Sequence, residues 1–488
     1  MRYLAFDLGA ESGRAIIGTL MDGRLNLEEI YRFPNEPVRI PDGLHWDVLR
    51  LFHEMKEGLR RATARYGTGI KSLAVDTWGV DFGLLGEKDI LLGNPYHYRD
   101  GRTGGVMEEA FKIVPREEIF SQTGIQFLPF NSLYQFLALR QQHPDLLSRA
   151  QSFLMVPDLF NFFFTGIKAG EFTNATTTQM YNPRTGTWAT DMLAKLDLPV
   201  NLLPEVNPPG TIIGPLLPRV ARETETGAIP VIAPGSHDTA SAVAAVPAAG
   251  PDYMYISCGT WSLVGTEVKE PVINEQTLRL NFTNEGGVGG TFRLLKNVTG
   301  LWLVQECRRT WARRGENLSY SELTAMAREA RPLVAVVDPD HPSFLNPEDM
   351  PAAIQVYCRE TGQPVPGTKG ETVRCALESL ALKYRWVLEK LEYILGKKLP
   401  VVHMVGGGTQ NELLCLFTAG ATGRPVVAGP VEATAAGNLL VQAMAMGEVK
   451  NLAEAREIVR RSFALKTYDP ENIDAWEEKY KVLDKLVS

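Results

Sequence analysis

Carboxylates beside glycine-rich turns are the residues of this chain best suited to chemistry. In the stretch FDLGAESGR, residues 6 to 14, Asp7 ends an apolar run and is followed at once by Gly9, Ser12 and Gly13. Glycine at such a turn lets backbone N–H groups approach phosphate oxygens, because no side chain blocks them. The turn therefore predicts a phosphate site. The alternative is that Asp7 is an Asx-type residue that only orders the turn.

Two further turns share this composition. They are CGTWS at residues 258 to 262 and GGGTQN at residues 406 to 411, and the second lies between an apolar strand and a helical pattern. None of the three turns matches GxxxxGK[ST] or GxGxxG, so the common P-loop and dinucleotide fingerprints are absent. The set of three is more specific than any single member.

The segment APGSHDTASAVAA, residues 233 to 245, contains a candidate catalytic acid. Asp238 follows a Pro-Gly turn and precedes a small-residue stretch of helical character. A carboxylate is the usual acceptor for the proton of an attacking hydroxyl in phosphoryl transfer, and the dipole at a helix start predicts a low pKa. A simple helix cap is the alternative, and Asp76 and Asp81 in VDTWGVDFG are rivals for the same role.

Strands and helices alternate around these residues. Residues 3 to 7 and 14 to 20 predict a β-hairpin, and residues 253 to 268 repeat the pattern of strand, turn and strand. Strand-like runs at residues 71 to 80 and 399 to 408 lie between helical patterns, which predicts α/β layers.

Apolar residues at helical spacing predict a helix in each half of the chain. One follows Asp47, a suitable N-cap, and runs from residue 48 to 62. The other runs from residue 373 to a C-terminal stop at Gly396.

The chain length predicts more than one domain. At 488 residues it exceeds the roughly 250 to 300 residues of a single core. The small residues, prolines and glycine of VAAVPAAGPD, residues 243 to 252, are typical of a connection. We therefore predict an N-terminal domain of residues 1 to 247 and a C-terminal domain of residues 248 to 488.

Composition argues against several classes of function. A net charge of -7 offers no excess of positive charge to a nucleic acid backbone. The most apolar stretch, residues 152 to 166, is interrupted by polar residues and is shorter than the roughly 20 apolar residues of a membrane span. We expect a cytoplasmic protein, because the N-terminus lacks an apolar signal segment. The five cysteines fit reduced thiols, although Cys358 and Cys375 could pair.

Two hairpins in related halves and a strand-GGG-helix element together resemble the actin-like ATPase superfamily. The resemblance implies two related α/β domains of the ribonuclease H-like type, with a nucleotide and sugar cleft between them. It also implies ATP with Mg²⁺. Asp7 and Asp238 would face the metal ion through water, because Mg²⁺ keeps several of its waters.

The chain more closely resembles the FGGY carbohydrate kinases. Eight stretches carry this resemblance, in family order from residue 6 to residue 438: FDLGAESGR (6 to 14), GLHWDVLRLF (43 to 52), VDTWGVDFGLL (75 to 85), NPYHYRDGRT (94 to 103), GSHDTASAV (235 to 243), ISCGTWSLVG (256 to 265), KNVTGLWLVQECRRTW (296 to 311) and the run from VGGGTQN to AAGN (405 to 438). The resemblance therefore covers nearly the whole chain.

The family implies ATP-dependent phosphorylation of a ketose, and the branch implies L-rhamnulose and its carbon 1 hydroxyl. The resemblance places the catalytic base at Asp238. It places sugar contacts at Gly79, His237, Asp238 and Thr239, and an ATP or sugar contact at Asn297. Trp78 is a further candidate, because its ring could offer an apolar face to the methyl group of the sugar, and packing in the core is the alternative. It places nucleotide contacts at Asp7, Ala10, Glu11, Ser12, Gly13, Arg14, Thr260, Gln305, Gly407 and Asn411. The expected partners are a small ketose and ATP, and the oligomeric state, monomer or homodimer, stays open.

Two departures from the family pattern are informative. NSLYQFLALR, residues 131 to 140, stands where many FGGY kinases carry Lys-x-x-Trp, which argues against the glycerol and xylulose branches. Glu11 stands where a small serine is common, and we expect it to face solvent because an acid repels phosphate. The alternatives are a kinase for another ketose such as L-fuculose, a non-kinase actin-like ATPase and a catalytically inactive sugar sensor.

Overall fold

The computed structural model describes residues 1–487, which form two compact units. Unit 1 contains residues 1–245, 267–294 and 433–462, and unit 2 contains residues 246–266, 295–432 and the chain from residue 463 onward. The units are discontinuous, because two segments of the C-terminal half pack in unit 1. The predicted domains, residues 1 to 247 and 248 to 488, are continuous, and their boundary stays a prediction.

The strands are short, and their bounds follow in chain order: β1 (Arg2–Leu8), β2 (Ser12–Met21), β3 (Arg24–Pro34), β4 (Val38–Ile40), β5 (Gly43–His45), β6 (Ile70–Thr77), β7 (Phe82–Leu85), β8 (Ser152–Met155), β9 (Gly170–Glu171), β10 (Tyr181–Asn182), β11 (Thr187–Trp188), β12 (Val206–Asn207), β13 (Thr211–Pro215), β14 (Pro230–Ala233), β15 (Met254–Cys258), β16 (Trp261–Val268), β17 (Thr283–Gly286), β18 (Phe292–Thr299), β19 (Val402–Val405), β20 (Val426–Ala428) and β21 (Lys466–Tyr468).

The α-helices range from single turns to one long helix, and their bounds follow: α1 (Val48–Tyr66), α2 (Val106–Ile113), α3 (Arg116–Thr123), α4 (Ser132–Gln142), α5 (Pro144–Ser148), α6 (Val156–Thr165), α7 (Phe172–Ala175), α8 (Thr190–Lys195), α9 (Pro218–Glu223), α10 (Asp238–Ala244), α11 (Glu275–Arg279), α12 (Trp302–Arg313), α13 (Tyr320–Glu329), α14 (Met350–Glu360), α15 (Lys369–Leu395), α16 (Glu412–Thr422), α17 (Ala433–Ala445), α18 (Leu452–Ser462) and α19 (Ile473–Val487).

The main sheet of unit 1 has the strand order β13-β14-β6-β1-β2-β3. β1 and β2 form the predicted hairpin and are antiparallel, with Asp7 opposite Arg14. β14, β6 and β1 are parallel neighbours, so their carboxyl ends meet at one edge of the sheet. Successive residues of β1 and β6 are buried, which is typical of strands covered on both faces.

Helix α1 begins where the sequence predicts. The side chain of Asp47 accepts a hydrogen bond from the backbone N–H of Arg50 at 3.0 Å and so caps the helix. Leu51, Met55 and Leu59 of α1 belong to the same buried cluster as Phe6 of β1. The predicted helix therefore covers the sheet.

Helix α17 is bound to the sheet of unit 1 by buried amides. Gln442 donates through Nε2 to the carbonyl of Leu4 at 3.0 Å, and Asn438 donates through Nδ2 to Oδ2 of Asp76 at 2.5 Å. At Gly437 an added Cβ would lie 1.7 Å from the carbonyl oxygen of Ser241 in α10. Only glycine allows these two helices to approach so closely.

The sheet of unit 2 includes the order β18-β16-β15-β19-β20-β21. β15 and β16 form the second predicted hairpin, and β19 lies parallel to β15. The antiparallel hairpin with a parallel neighbour repeats the arrangement of β1, β2 and β6 in unit 1. Helix α15 ends at Gly396, whose φ of 63° is the left-handed conformation predicted for its C-terminal stop.

Two predicted strands are shorter than expected. β6 stops at Thr77, before the predicted end at residue 80, and β19 spans only Val402–Val405. Gly406 has a φ of 87°, which turns the chain out of the sheet. All five cysteines are free thiols, including Cys358 and Cys375. Among residues 1–487, no helix has the length and apolar character needed to cross a membrane.

We expect Gly437→Ala to lower the free energy of unfolding by about 1 to 3 kcal/mol, because the new methyl group must displace α10. This cost exceeds the gain of up to about 1 kcal/mol from replacing glycine inside a helix. Denaturant unfolding of both proteins measures the difference. Gly227→Ala is the control, because no atom lies within 4 Å of a Cβ there. A Gly437→Ala protein as stable as this control would contradict the packing argument.

Candidate active site

Three acids meet at the carboxyl edge of the unit 1 sheet. Asp7 and Asp76 are register partners on the parallel strands β1 and β6. Next to them, Thr77 forms a parallel bridge with His237, and Asp238 is the first residue of α10. The sheet order therefore brings together side chains that are far apart in the sequence.

The three carboxylates have different surroundings. Asp7 pairs with Arg14 at 2.5 Å between Oδ2 and Nη2. Asp76 is fully buried, and its Oδ1 has no hydrogen-bond partner among residues 1–487. Asp238 keeps 32% of its side chain exposed. Of the three, only Asp238 is open enough to touch a small molecule directly.

The pKa values of two of these acids are raised. Burial raises the pKa of Asp76 well above its usual range, and the charge of Asp7 adds to the effect. Burial also raises the pKa of Asp238, with the charge of Asp7 acting in the same direction and His237 acting against it. The predicted low pKa of Asp238 is wrong, because its recessed position beside another carboxylate outweighs the dipole of a seven-residue helix.

Asp81 is a rival base that the structure places in a closed environment. Its Oδ2 accepts hydrogen bonds from the indole N–H groups of Trp46 and Trp78, at 2.6 and 3.0 Å, and from the backbone N–H of Tyr98 at 3.1 Å. Its Oδ1 accepts a bond from Gln135 at 2.7 Å. Both oxygens are occupied, so Asp81 anchors this aromatic cluster.

Trp78 is 7% exposed and packs against other rings rather than lining open space. Its ring is tilted by 34° against that of Trp46, with 4.0 Å between the centroids, and Trp46 in turn stacks on His97 at 4.1 Å. Burial lowers the pKa of His97 to about 3, so this imidazole stays neutral at physiological pH. Gly79 follows Trp78, and a Cβ there would lie 3.1 Å from the side chain of Thr177.

A buried carboxylate supports the turn before Asp238. Oε2 of Glu171 accepts hydrogen bonds from the hydroxyl and the backbone N–H of Ser236, at 2.5 and 3.1 Å, and from the hydroxyl of Thr173 at 2.6 Å. The same Thr173 hydroxyl accepts a bond from the backbone N–H of His237 at 3.1 Å. Thr239 donates from its backbone N–H to Oδ1 of Asp238 at 2.5 Å.

The first glycine turn lies at the same sheet edge. Gly9 donates from its backbone N–H to the carbonyl of Ser12 at 2.9 Å, which closes the turn around Ala10 and Glu11. Glu11 is exposed, as the sequence predicts. Gly13 is required for a reason that the sequence does not reveal, because a Cβ there would lie 2.2 Å from the ring of Phe33.

The other two glycine turns line one cavity in unit 2, with a volume of about 700 Å³. Its lining includes the predicted nucleotide residues of this unit, which are Thr260, Gln305, Gly407 and Asn411. It also includes Gly259, Gly408 and the apolar side chains of Leu301, Val304, Tyr320 and Ala325. Oε1 of Gln305 is buried and has no hydrogen-bond partner among residues 1–487. An acceptor in this state is suited to a ligand with an N–H donor.

Close backbone packing shapes this cavity. A Cβ on Gly408 would lie 2.1 Å from Sγ of Cys258, so the turn after β19 fits directly against the end of β15. Asn411 caps α16 by accepting a hydrogen bond from the backbone N–H of Leu414 at 3.1 Å. In the described part of the chain, Asn297 of β18 is not part of the cavity lining.

The acids of unit 1 fit a cation that keeps much of its water. Among residues 1–487, no three side chains of His, Cys, Asp or Glu stand close enough to hold a metal ion directly. Mg²⁺ in phosphate sites uses one or two carboxylates and retains several waters. The unpartnered Oδ1 of Asp76 suits such an ion, and so does the charge of Asp7, which adds to the raised pKa values of Asp76 and Asp238.

Sequence reasoning missed several buried partners of this site. Asn438, Glu171, Glu285 and Arg293 all contact the acids or the turn that carries them. Glu171, Glu285 and Arg293 come from distant segments of the chain. Their signal is the burial of a charged side chain. Asn438 and Trp46 lie within the family motifs, but no role was predicted for them.

Family models match both halves of the chain. The FGGY family of carbohydrate kinases, N-terminal domain, matches residues 2–245, and its C-terminal domain matches residues 254–446.

Individual proteins give the same result. A rhamnulokinase from Bacteroides thetaiotaomicron is 46% identical over 478 residues, which cover 98% of each chain. A rhamnulokinase from Oceanobacillus iheyensis is 42% identical over 465 residues, covering 95% of this chain and 97% of the relative. A ligand-bound xylulose kinase from Lactobacillus acidophilus shares the fold, with a TM-score of 0.84 and 17% identity over 99% of this chain and 97% of that chain. The predicted two-domain α/β kinase fold is therefore confirmed.

Asp81 makes the stability of the protein depend on pH. Burial raises its pKa to about 6, despite three hydrogen bonds from side chains and the charge of Arg102, which oppose the shift. A raised folded-state pKa stabilises the fold below the unfolded pKa, and this contribution is lost as pH rises through about 6. We expect the unfolding free energy of the wild type, relative to Asp81→Asn, to increase by about 3 kcal/mol between pH 7 and pH 4.

Denaturant unfolding of the two proteins across this pH range measures the difference. Other carboxylates titrate in both proteins, so their effects cancel in the comparison. A difference that stays constant with pH would show that Asp81 has an ordinary pKa.

Proposed function

Since the chain belongs to the FGGY family of carbohydrate kinases, we propose that it transfers the terminal phosphoryl group of ATP to the carbon 1 hydroxyl of L-rhamnulose. The products are L-rhamnulose 1-phosphate and ADP. Two relatives that are 46% and 42% identical over nearly the full chain are rhamnulokinases, which supports this substrate. We further propose that its partners are the ketose and ATP and that it binds neither nucleic acid nor a membrane.

One observation supports Asp238 as the catalytic base. Asp76 and Asp81 are completely buried and Asp7 is paired with Arg14, whereas the carboxylate of Asp238 is partly exposed at the sheet edge. A base must lie within hydrogen-bond reach of the proton that it removes. Asp238 is the acid of this set that a sugar hydroxyl can reach.

The raised pKa of Asp238 suits this role. A carboxylate whose pKa is closer to the operating pH is a better proton acceptor than an ordinary one. Asp238 would orient the attacking hydroxyl and take its proton. His237 and Thr239 would contact the sugar beside it, and Trp78, Gly79 and Asn297 are further proposed sugar contacts.

Each unit would hold one part of the nucleotide-dependent chemistry. The cavity of unit 2 would bind ATP, with Thr260 and Gly407 near phosphate and Gln305 accepting an N–H of the nucleotide. The turn from Ala10 to Arg14 in unit 1 would contact phosphate through its backbone. Exposed Glu11 would point away, because an acid repels phosphate.

Mg²⁺ is the proposed second cofactor. Asp7 and Asp238 would face the ion through water, and Asp76 is a further oxygen donor with an unpartnered atom. Bound Mg²⁺ neutralises negative charge on a transferring phosphoryl group. A cytoplasmic location and a monomeric or homodimeric state stay predictions.

We expect Asp238→Asn to lose at least about two orders of magnitude in kcat, as is typical when a general base is removed. The KM or Kd for ATP should change little, because the proposed nucleotide cavity lies in unit 2. A coupled assay of ADP release and ATP titration calorimetry measure the two quantities.

Asp191→Asn is the matched control, because Asp191 is also an acid in the first turn of a short helix of unit 1 and is exposed. It should keep full activity. If both substitutions have equally small effects on kcat, Asp238 is not the catalytic base and only occupies the start of its helix.

A panel of ketoses tests the substrate. We expect kcat/KM to be highest for L-rhamnulose and lower for L-fuculose, D-xylulose and glycerol, and we expect little ATP hydrolysis without sugar. Epimers differ in the position of one hydroxyl. A site that hydrogen-bonds this hydroxyl discriminates against the other epimer, because polar groups of the site stay unpaired in the complex with the wrong sugar. Preference for L-fuculose would establish the alternative kinase. Sugar-independent hydrolysis at the full rate would favour a non-kinase ATPase.

A further inference from the structure

Two opposite charges are buried behind His237 and have no part in the proposed reaction. Arg293 is 0% exposed and Glu285 is 4% exposed. Burying an ion pair costs desolvation energy that good geometry only just recovers, so such a pair is weak evidence for stability. Buried charges in contact with a site residue are candidates for a functional role.

We propose that Arg293, held by Glu285, is a positioning residue that keeps the proton of the His237 imidazole on Nε2, so that Nε2–H faces Asp238. The inference rests on the proposed function, because it explains how the base of that reaction is oriented.

The distances define a chain of four groups. Nη2 of Arg293 lies 3.0 Å from Oε2 of Glu285 and 3.2 Å from Nδ1 of His237. On the other side of the ring, Nε2 of His237 lies 3.4 Å from Oδ1 of Asp238. Nε of Arg293 also donates to the carbonyl of Gly286 at 2.8 Å, which fixes the guanidinium plane.

Hydrogen-bond inventory selects one tautomer. An arginine Nη2 carries two hydrogens and no acceptor, and it stays charged in proteins. Oε2 of Glu285 lies within ion-pair distance of this nitrogen. A hydrogen of Nη2 is directed at Nδ1 of His237, 3.2 Å away, so Nδ1 must be the acceptor. The single proton of the neutral ring then lies on Nε2.

The other tautomer, with the proton on Nδ1, has one favourable contact and two conflicts. Its proton would donate to Oε2 of Glu285, 3.2 Å away. The same proton would face the hydrogens of Arg293, and the lone pair of Nε2 would face the carboxylate of Asp238. The first arrangement avoids both repulsions.

This tautomer has a consequence for Asp238. A donor that faces the carboxylate stabilises its ionised form, which is the form that accepts the proton. The other charged groups around this acid are Asp7 and Asp76, which disfavour ionisation, and Arg14, which pairs with Asp7. His237 and Thr239 are therefore the groups that offset the neighbouring carboxylates.

The tautomer itself can be measured without any substitution. In protein labelled with ¹⁵N-histidine, two-bond ¹H–¹⁵N spectra distinguish Nε2–H from Nδ1–H, and a His237→Gln sample identifies the signal. We expect Nε2–H for His237 in the wild type at neutral pH. A proton on Nδ1 would overturn the proposal, whether or not the protein phosphorylates L-rhamnulose.

Arg293→Met tests the consequence for catalysis. Without the donor on Nδ1, the proton is no longer held on Nε2, and we expect kcat to fall about 10- to 100-fold. The ¹H–¹⁵N spectrum of His237 in this variant should no longer show Nε2–H alone, because Nδ1 loses the donor that excludes a proton from it. The KM for ATP should stay the same.

Arg385→Met is the control, because it removes a guanidinium of unit 2 that is 13% exposed and lies 2.9 Å from Glu389. It should lower stability and leave the His237 spectrum unchanged. A wild-type His237 spectrum in folded Arg293→Met would overturn the positioning role. If Arg293→Met does not fold, the His237 spectrum of the wild type still tests the tautomer. A wild type that shows Nε2–H but has no kinase activity would contradict the proposed function and leave the tautomer supported.

Discussion

The register of three parallel strands is the constraint on which the unit 1 site depends. β1 and β6 place Asp7 and Asp76 side by side, and β14 leads into the turn that ends at Asp238. Carboxylates at such an edge repel one another, and burial adds to the cost of their charge. Burial, together with this repulsion, raises the pKa of Asp238. The repulsion also makes the edge suitable for a cation.

Buried polar side chains from outside these strands hold the acids in place. Asn438 binds Asp76, Glu171 binds the turn at Ser236, and Arg293 binds the ring of His237. None of the three needs to contact substrate. Each satisfies hydrogen bonds that would otherwise be lost on burial, and each restricts a group that the proposed reaction requires in one orientation.

The glycines of the site serve packing as well as ligand access. Gly13 makes room for Phe33, Gly408 for Cys258 and Gly437 for Ser241. In each case the neighbour is a fixed part of the core or of the backbone. The phosphate-type turns are therefore positioned by close contacts within their own unit, and their backbone geometry does not depend on a bound ligand.

The sequence by itself determined the hairpins at both glycine turns, the caps at Asp47 and Gly396 and the α/β class, because these follow from local patterns and family motifs. The same motifs led to the proposal of Asp238 as the base. Sequence reasoning predicted the wrong pKa for Asp238 and no role for Glu285, Arg293 or Asn438. Burial and neighbouring charge are properties of packing, and residues hundreds of positions apart create them together. Only the tertiary structure could decide which acid stays open, which are closed, and which buried charges surround the base.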